Sequence, residues 1–119
     1  MLPPADQTIL QRRVRPLVSA DLVARHGARP FGPHDPDVLE VLHFVRRSPD
    51  PELPSYFVLA LGEPPRWSVG ARPAGRGESL DAVDAITYPT RAAAEHAVFV
   101  RRLADYGLLP DGIDPKDPA

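Results

Sequence analysis

Four histidines, His26, His34, His43 and His96, are the residues of this chain best suited to ligate a metal or pass a proton near neutral pH. No two of them stand at i, i+4 on one expected helix, and neither an HExxH pattern nor a carboxylate cluster accompanies them. His96 lies in EHAVFVRR, Glu95 to Arg102. At about 100° per residue, Glu95 and Arg102 share a helix face with Arg91, whereas His96 falls beside Ala92, Ala93, Val100 and Leu103. A titratable ring on that apolar side needs a hydrogen-bond partner. Spacing leaves open whether His96 is a catalyst, a ligand or a piece of structure, and for the four histidines capping or interface roles are favoured over a metal site.

Other chemistries find less support. GARPAGRGE, Gly70 to Glu78, is rich in glycine and arginine, as a phosphate cradle would be. A Walker A loop requires GK[ST], however, and a dinucleotide fingerprint opens directly into a helix. Neither condition holds, so the stretch reads as a flexible hairpin loop. No GxSxG or SxxK pattern marks a nucleophilic serine. Cysteine is absent, which removes disulfides, thiolate zinc sites and thiol nucleophiles. Arg66, Arg72 and Arg76, with Trp67 beside them, suggest a second reading, a small nucleic-acid-binding module that grips through a sheet face. The net charge of −2 and the acidic C-terminal stretch speak against it. The residues alone thus assign no catalytic, cofactor-binding or metal-ligating position.

The elements that must hold these side chains follow from periodicity and punctuation. MLPPADQ is expected to fray, and TILQRRV to make two helical turns before Pro16 interrupts them. A short helix then starts at the N-cap Ser19 and stops at Gly27. Asp35 caps a longer helix with Pro36 in its first position, Val38, Leu39, Val41, Leu42 and Val45 at helical spacing, and Pro49 at its end. The period then changes. SYFVLALGEPPRWSVGARP reads as two antiparallel strands around a short loop, AGRGESLDAV as loop, and DAITYPT as a third strand. Thr90 caps a last helix from Arg91 to Tyr106, terminated by Gly107. The fold class expected is α+β: two N-terminal helical segments, a three-stranded antiparallel meander, and a C-terminal helix packed on one sheet face, the other face left free.

With 119 residues, 43% hydrophobic and 25% charged, the chain suits a single small domain over 1–119, with 1–7 and 108–119 as flexible tails. Proline accounts for 16 residues, far above a usual share of about 5%, which implies short, stiff connections. The cations are nearly all arginine, Lys116 being the only lysine, and arginine suits interfaces through its forked, weakly hydrated contacts. No apolar run approaches the roughly 20 residues that span a bilayer, and the stretch MLPPADQTILQRR has no cationic region followed by an apolar one, so no secretory leader is expected. The expectation is a cytoplasmic protein that does not enter a membrane.

Several stretches, in order, resemble the small (alpha) subunit of bacterial N,N-dimethylformamidase: LVARHGARPFG (Leu22 to Gly32), LEVLHFVRR (Leu39 to Arg47), YFVLALGEPPRW (Tyr56 to Trp67) and EHAVFVRRLAD (Glu95 to Asp105). An aliphatic pair precedes a histidine and the Pro30, Phe31, Gly32 turn. His96, Ala97, Val98 and Phe99 run into the pair Arg101 and Arg102. The likeness covers about residues 17 to 106, and the last block is its most specific part. It implies a non-catalytic accessory subunit. In that family, iron-dependent hydrolysis of a small linear amide belongs to a separate large subunit, whose metal ligands are tyrosines and a carboxylate. No cofactor is then expected in this chain, iron is expected in the partner, and the assembly is a hetero-oligomer.

On that reading Arg46, Arg47, Arg101 and Arg102 are the expected polar contacts, and Phe31, Tyr56 and Trp67 the aromatic anchors. Aromatic and arginine side chains are the ones whose truncation most often costs interface energy. His96 is expected to serve the same interface or the core behind it.

Overall fold

A computed structural model describes residues 1–72 and 86–114. The AGRGESLDAV loop, Arg76 and the end of the acidic tail lie outside the described residues.

Helix α1 spans Pro4–Ile9 and passes without a break into a wide turn, Leu10–Val14, and a tight one, Arg15–Leu17. The helix starts at Pro4, earlier than the Thr8 expected from TILQRRV, because proline in the first turn has no N–H to lose and a preset φ. Pro16 disturbs the far end. Without its N–H the regular ladder fails there, and Arg15 N–H reaches back to Leu10 C=O instead. Helix α2, Ala20–Ala28, is capped as expected, Ser19 Oγ accepting from Leu22 N–H at 3.1 Å. Gly27 is not its stop: it lies inside the helix, where a Cβ would come 3.1 Å from the His96 ring, so its smallness serves a close approach of α2 to that ring.

Helix α3 is Pro36–Arg46. Asp35 occupies its N-cap position but makes no side-chain cap bond, because its carboxylate binds Arg25 at 2.8 Å. Strands β1, Ser55–Leu61, and β2, Arg66–Arg72, form an antiparallel hairpin in the register Val58↔Val69 and Ala60↔Trp67. Helix α4, Arg91–Asp105, begins at Thr90, whose Oγ1 accepts from Ala93 N–H at 3.1 Å. Gly107, with φ +67°, ends it by donating to Ala104 C=O, while Leu108 N–H reaches Leu103 C=O at 2.8 Å.

The third strand is not seen. Among the described residues the sheet has two strands, and Tyr88 joins it through a single bridge, exchanging two backbone bonds with Trp67 at 2.7 and 3.1 Å. Pro89 then withholds a donor and Thr90 turns the chain into α4, so the ladder has no room to extend. On the other side of Tyr88, the Ile86 carbonyl is taken by Ser68 Oγ at 2.9 Å.

Two apolar clusters share α4. Phe99, Val100 and Leu103 close a helical core with Leu10, Val14, Leu22, Val41, Leu42 and Val45. Ala94, Ala97 and Val98 pack on the sheet against Val69 and Tyr88, with Tyr56, Val58 and Trp67 at the margin. The C-terminal helix therefore lies on one sheet face, as expected for this α+β arrangement, and is the element through which the two layers meet.

Candidate docking surface

Three of the four histidines, His26, His34 and His96, converge, although local spacing gave no sign of it, while His43 stays exposed on α3. His26, at 2% exposure, and His96 face each other across α2 and α4, with their Nδ1 atoms 2.9 Å apart. One ring must donate through Nδ1–H while the other accepts, so the pair needs opposite tautomers. His26 also stacks on Phe99, with centroids 4.0 Å apart, and lies parallel to His34 at 5.7 Å. Burial first, then the neighbouring His96 and His34 rings and Arg46, pushes His26 down to about 3, and burial lowers His96 as well. Both rings are thus neutral at physiological pH. No group of three or more His, Cys, Asp or Glu able to hold a metal occurs among the described residues. The cluster is a hydrogen-bonded seam between helices.

Beside this seam Arg25 ties α2 to the start of α3. It donates to Asp21 at 2.9 Å, to Asp35 at 2.8 Å, and to both oxygens of Asp37 at 3.0 and 2.7 Å. The guanidinium holds the Asp37 carboxyl below its ordinary range. Three carboxylates around one arginine take four of its five N–H donors, which makes Arg25 a clamp.

The opposite flank of α4 is open. Arg91, Glu95, Val98 and Arg102, spaced to form one stripe, run beside β1 and bound a groove of about 410 Å³ together with Tyr56, Phe57, Val58, Ala60 and Trp67. Arg91 reaches from the end of this groove over the ring of Phe31, 5.7 Å from its centroid. Phe31 is itself 60% exposed, on a turn framed by Pro30, Gly32 and Pro33. An arginine-backed aromatic held on a stiff turn, next to a groove with an aromatic and arginine lining, is the composition of an interface centre.

Tyr56, Trp67 and Arg102 thus meet in the groove, and Phe31 stands at its end. Tyr56 donates its hydroxyl to Asp105 Oδ2 at 2.7 Å, and burial with this bond raises the phenol above its ordinary range. Arg102 donates to the Tyr56 carbonyl at 3.4 Å. Its guanidinium is held below its usual value, first by burial and then by Arg46.

Arg101, adjacent in sequence, is turned inward to 8% exposure, where Tyr56 and Asp105 favour its charge against the cost of burial. Arg47 pairs with Asp6 at 2.8 Å and lies over Phe44, away from the groove. Arg46 is exposed at the end of α3, and His96 belongs to the seam. Arg91 and Glu95 were not among the expected contacts. Their shared face with Arg102 was the signal that could have placed them in the groove.

No helix among the described residues is long and apolar enough to cross a membrane. A family model described as N,N-dimethylformamidase alpha subunit matches residues 4–110. None of the curated proteins matches the chain.

Proposed function

The chain belongs to the N,N-dimethylformamidase alpha subunit family, and from that premise we propose that it is a non-catalytic accessory subunit that assembles with a larger, iron-dependent amide-hydrolysing chain. The observation that carries the reading is the family match over residues 4–110, which takes in every described element from α1 to α4. The geometry supports it from the other direction. The histidine cluster is closed on itself, whereas the arginines and aromatics that suit recognition lie along an open groove.

In this reading the working assembly is a hetero-oligomeric amidohydrolase of the cytoplasm, an environment that suits a chain without cysteine. The chemistry takes place on the partner. Phe31, Tyr56, Trp67 and Arg102 form the contact centre, Arg46 contributes at its margin, and Arg47, Arg101 and His96 support the fold behind it.

Co-expression with the large chain of a dimethylformamidase tests the proposal. The expected result is a stable complex by size-exclusion chromatography with light scattering, hydrolysis of N,N-dimethylformamide by the complex, and none by this chain alone. Amide hydrolysis by the isolated chain, or two chains that never associate, would overturn it.

A further inference from the structure

The hairpin register fixes which backbone groups of β1 face outward. Trp67 gives both its N–H and its C=O to Tyr88. It therefore has no backbone bonds left for its partner on the other side, Ala60. In an antiparallel ladder this alternation repeats every two residues. Phe57 and Leu59 bond to Gly70 and Ser68, whereas Tyr56, Val58 and Ala60 point their N–H and C=O groups away from β2. The Arg102 bond to the Tyr56 carbonyl lies on that outer side. Beyond it, the outward groups of Val58 and Ala60 have no partner among the described residues, and they line the groove against α4.

Donor and acceptor pairs repeating at about 7 Å along one edge match another extended backbone. A strand laid there would also lie against Arg91, Glu95, Val98 and Arg102, the stripe forming the far wall. Among the described residues no carboxylate forms an ion pair with Arg102, whose guanidinium is half-buried and spends one donor on a carbonyl. A charge already stripped of much of its water favours a carboxylate brought by the incoming strand. A second copy of β1 would supply none, since SYFVLAL contains no acidic residue.

We propose that the outer edge of β1 is a strand-docking site, which takes an extended segment of the partner subunit as an added strand and seats a carboxylate of that segment on Arg102. This deepens the accessory-subunit reading and rests on it.

Hydrogen exchange read at single amides, on the whole chain free and in the co-expressed complex, tests the edge directly. In the free chain, Val58 and Ala60 should exchange at least about tenfold faster than Phe57 and Leu59, and in the complex they should slow by about 100-fold. Val58→Pro removes an outward N–H and no ladder bond, so it should leave the free chain folded and weaken the complex by about 100-fold. Arg102→Gln keeps a donor for the Tyr56 carbonyl but loses the charge, and should weaken the complex about tenfold.

A complex in which Val58 and Ala60 still exchange fast would overturn the edge proposal and leave the subunit reading standing. So would an unweakened Val58→Pro complex. Unchanged affinity of Arg102→Gln would remove the carboxylate from the proposal. Protection of the same amides in a homodimer of this chain would assign the edge to a second copy. Failure of the wild-type chains to associate would overturn both readings.

Discussion

The seam between α2 and α4 and the groove between α4 and β1 flank the same helix, yet they treat polar groups in opposite ways. In the seam polar groups answer one another inside the chain: His26 and His96 share one hydrogen bond through Nδ1, Phe99 stacks on His26, and Arg25 beside them is wrapped by three carboxylates. In the groove the answers stop short. Arg102 binds one carbonyl, and Val58 and Ala60 turn their backbone outward. Buried polar groups that are paired hold elements in register, whereas partly satisfied groups at an accessible edge are suited to pairing with another molecule. The comparison shows how a cluster of histidines can be the more structural site, while a strand with no charged side chain keeps an edge open to pairing.

The strongest way to break the comparison is to empty the seam. Phe99→Ala removes a buried ring that stacks on His26 and closes the helical core, and should cost about 3–5 kcal/mol in denaturant unfolding. A loss under about 1 kcal/mol would mean that the seam is not what holds α4.

Next in size is a contrast within β1. Leu59→Pro takes an inward N–H from the ladder and should cost about 3 kcal/mol, whereas Val58→Pro should cost under about 1 kcal/mol in the free chain. Equal costs would show that the assigned faces of the strand are wrong.

Acid should then open the seam and spare the groove. His26 is held near 3 in the folded chain against an ordinary value near 6.5, so the unfolded chain binds more protons between these limits. Stability is therefore full above about pH 6.5 and falls as the pH drops. The slope should approach about 1.4 kcal/mol per pH unit for this one ring. His96, lowered in the same direction, adds to the effect. Between pH 6.5 and 5, before most carboxylates titrate, unfolding midpoints of wild type and His26→Gln should converge; parallel curves would assign the acid sensitivity elsewhere.

The smallest effect expected is at the clamp. Arg25→Ala should lower the melting temperature slightly, with a deficit that shrinks as salt is raised, since its partners are largely in solvent. A deficit indifferent to salt would point to packing of the arginine stem instead.

Much of this was legible wherever a local rule operates. Ser19 and Thr90 cap as their types predict, Gly107 ends α4 through a left-handed residue, and the apolar spacing in Val38 to Val45 marks the buried face of α3. The misreadings fall where a local signal served a distant contact. Gly27 looked like a stop but makes room for His96, and Asp35 looked like a side-chain cap but binds Arg25. Tyr88 sits in a segment with strand chemistry, yet the neighbouring Pro89 and the start of α4 leave it a single bridge.

By itself the sequence determined the family, the starts of α2, α3 and α4, the hairpin and the face of α4 that His96 shares, because caps, periodicity and turn residues act over a few positions. The tertiary structure decided which polar groups found partners. His26 and His96 are 70 residues apart in the chain, and Tyr56 and Arg102 are 46 apart, distances over which spacing carries no information. Only when α4 packs between the helices and the hairpin does one side close on its histidines while the other leaves an edge of β1 to be filled.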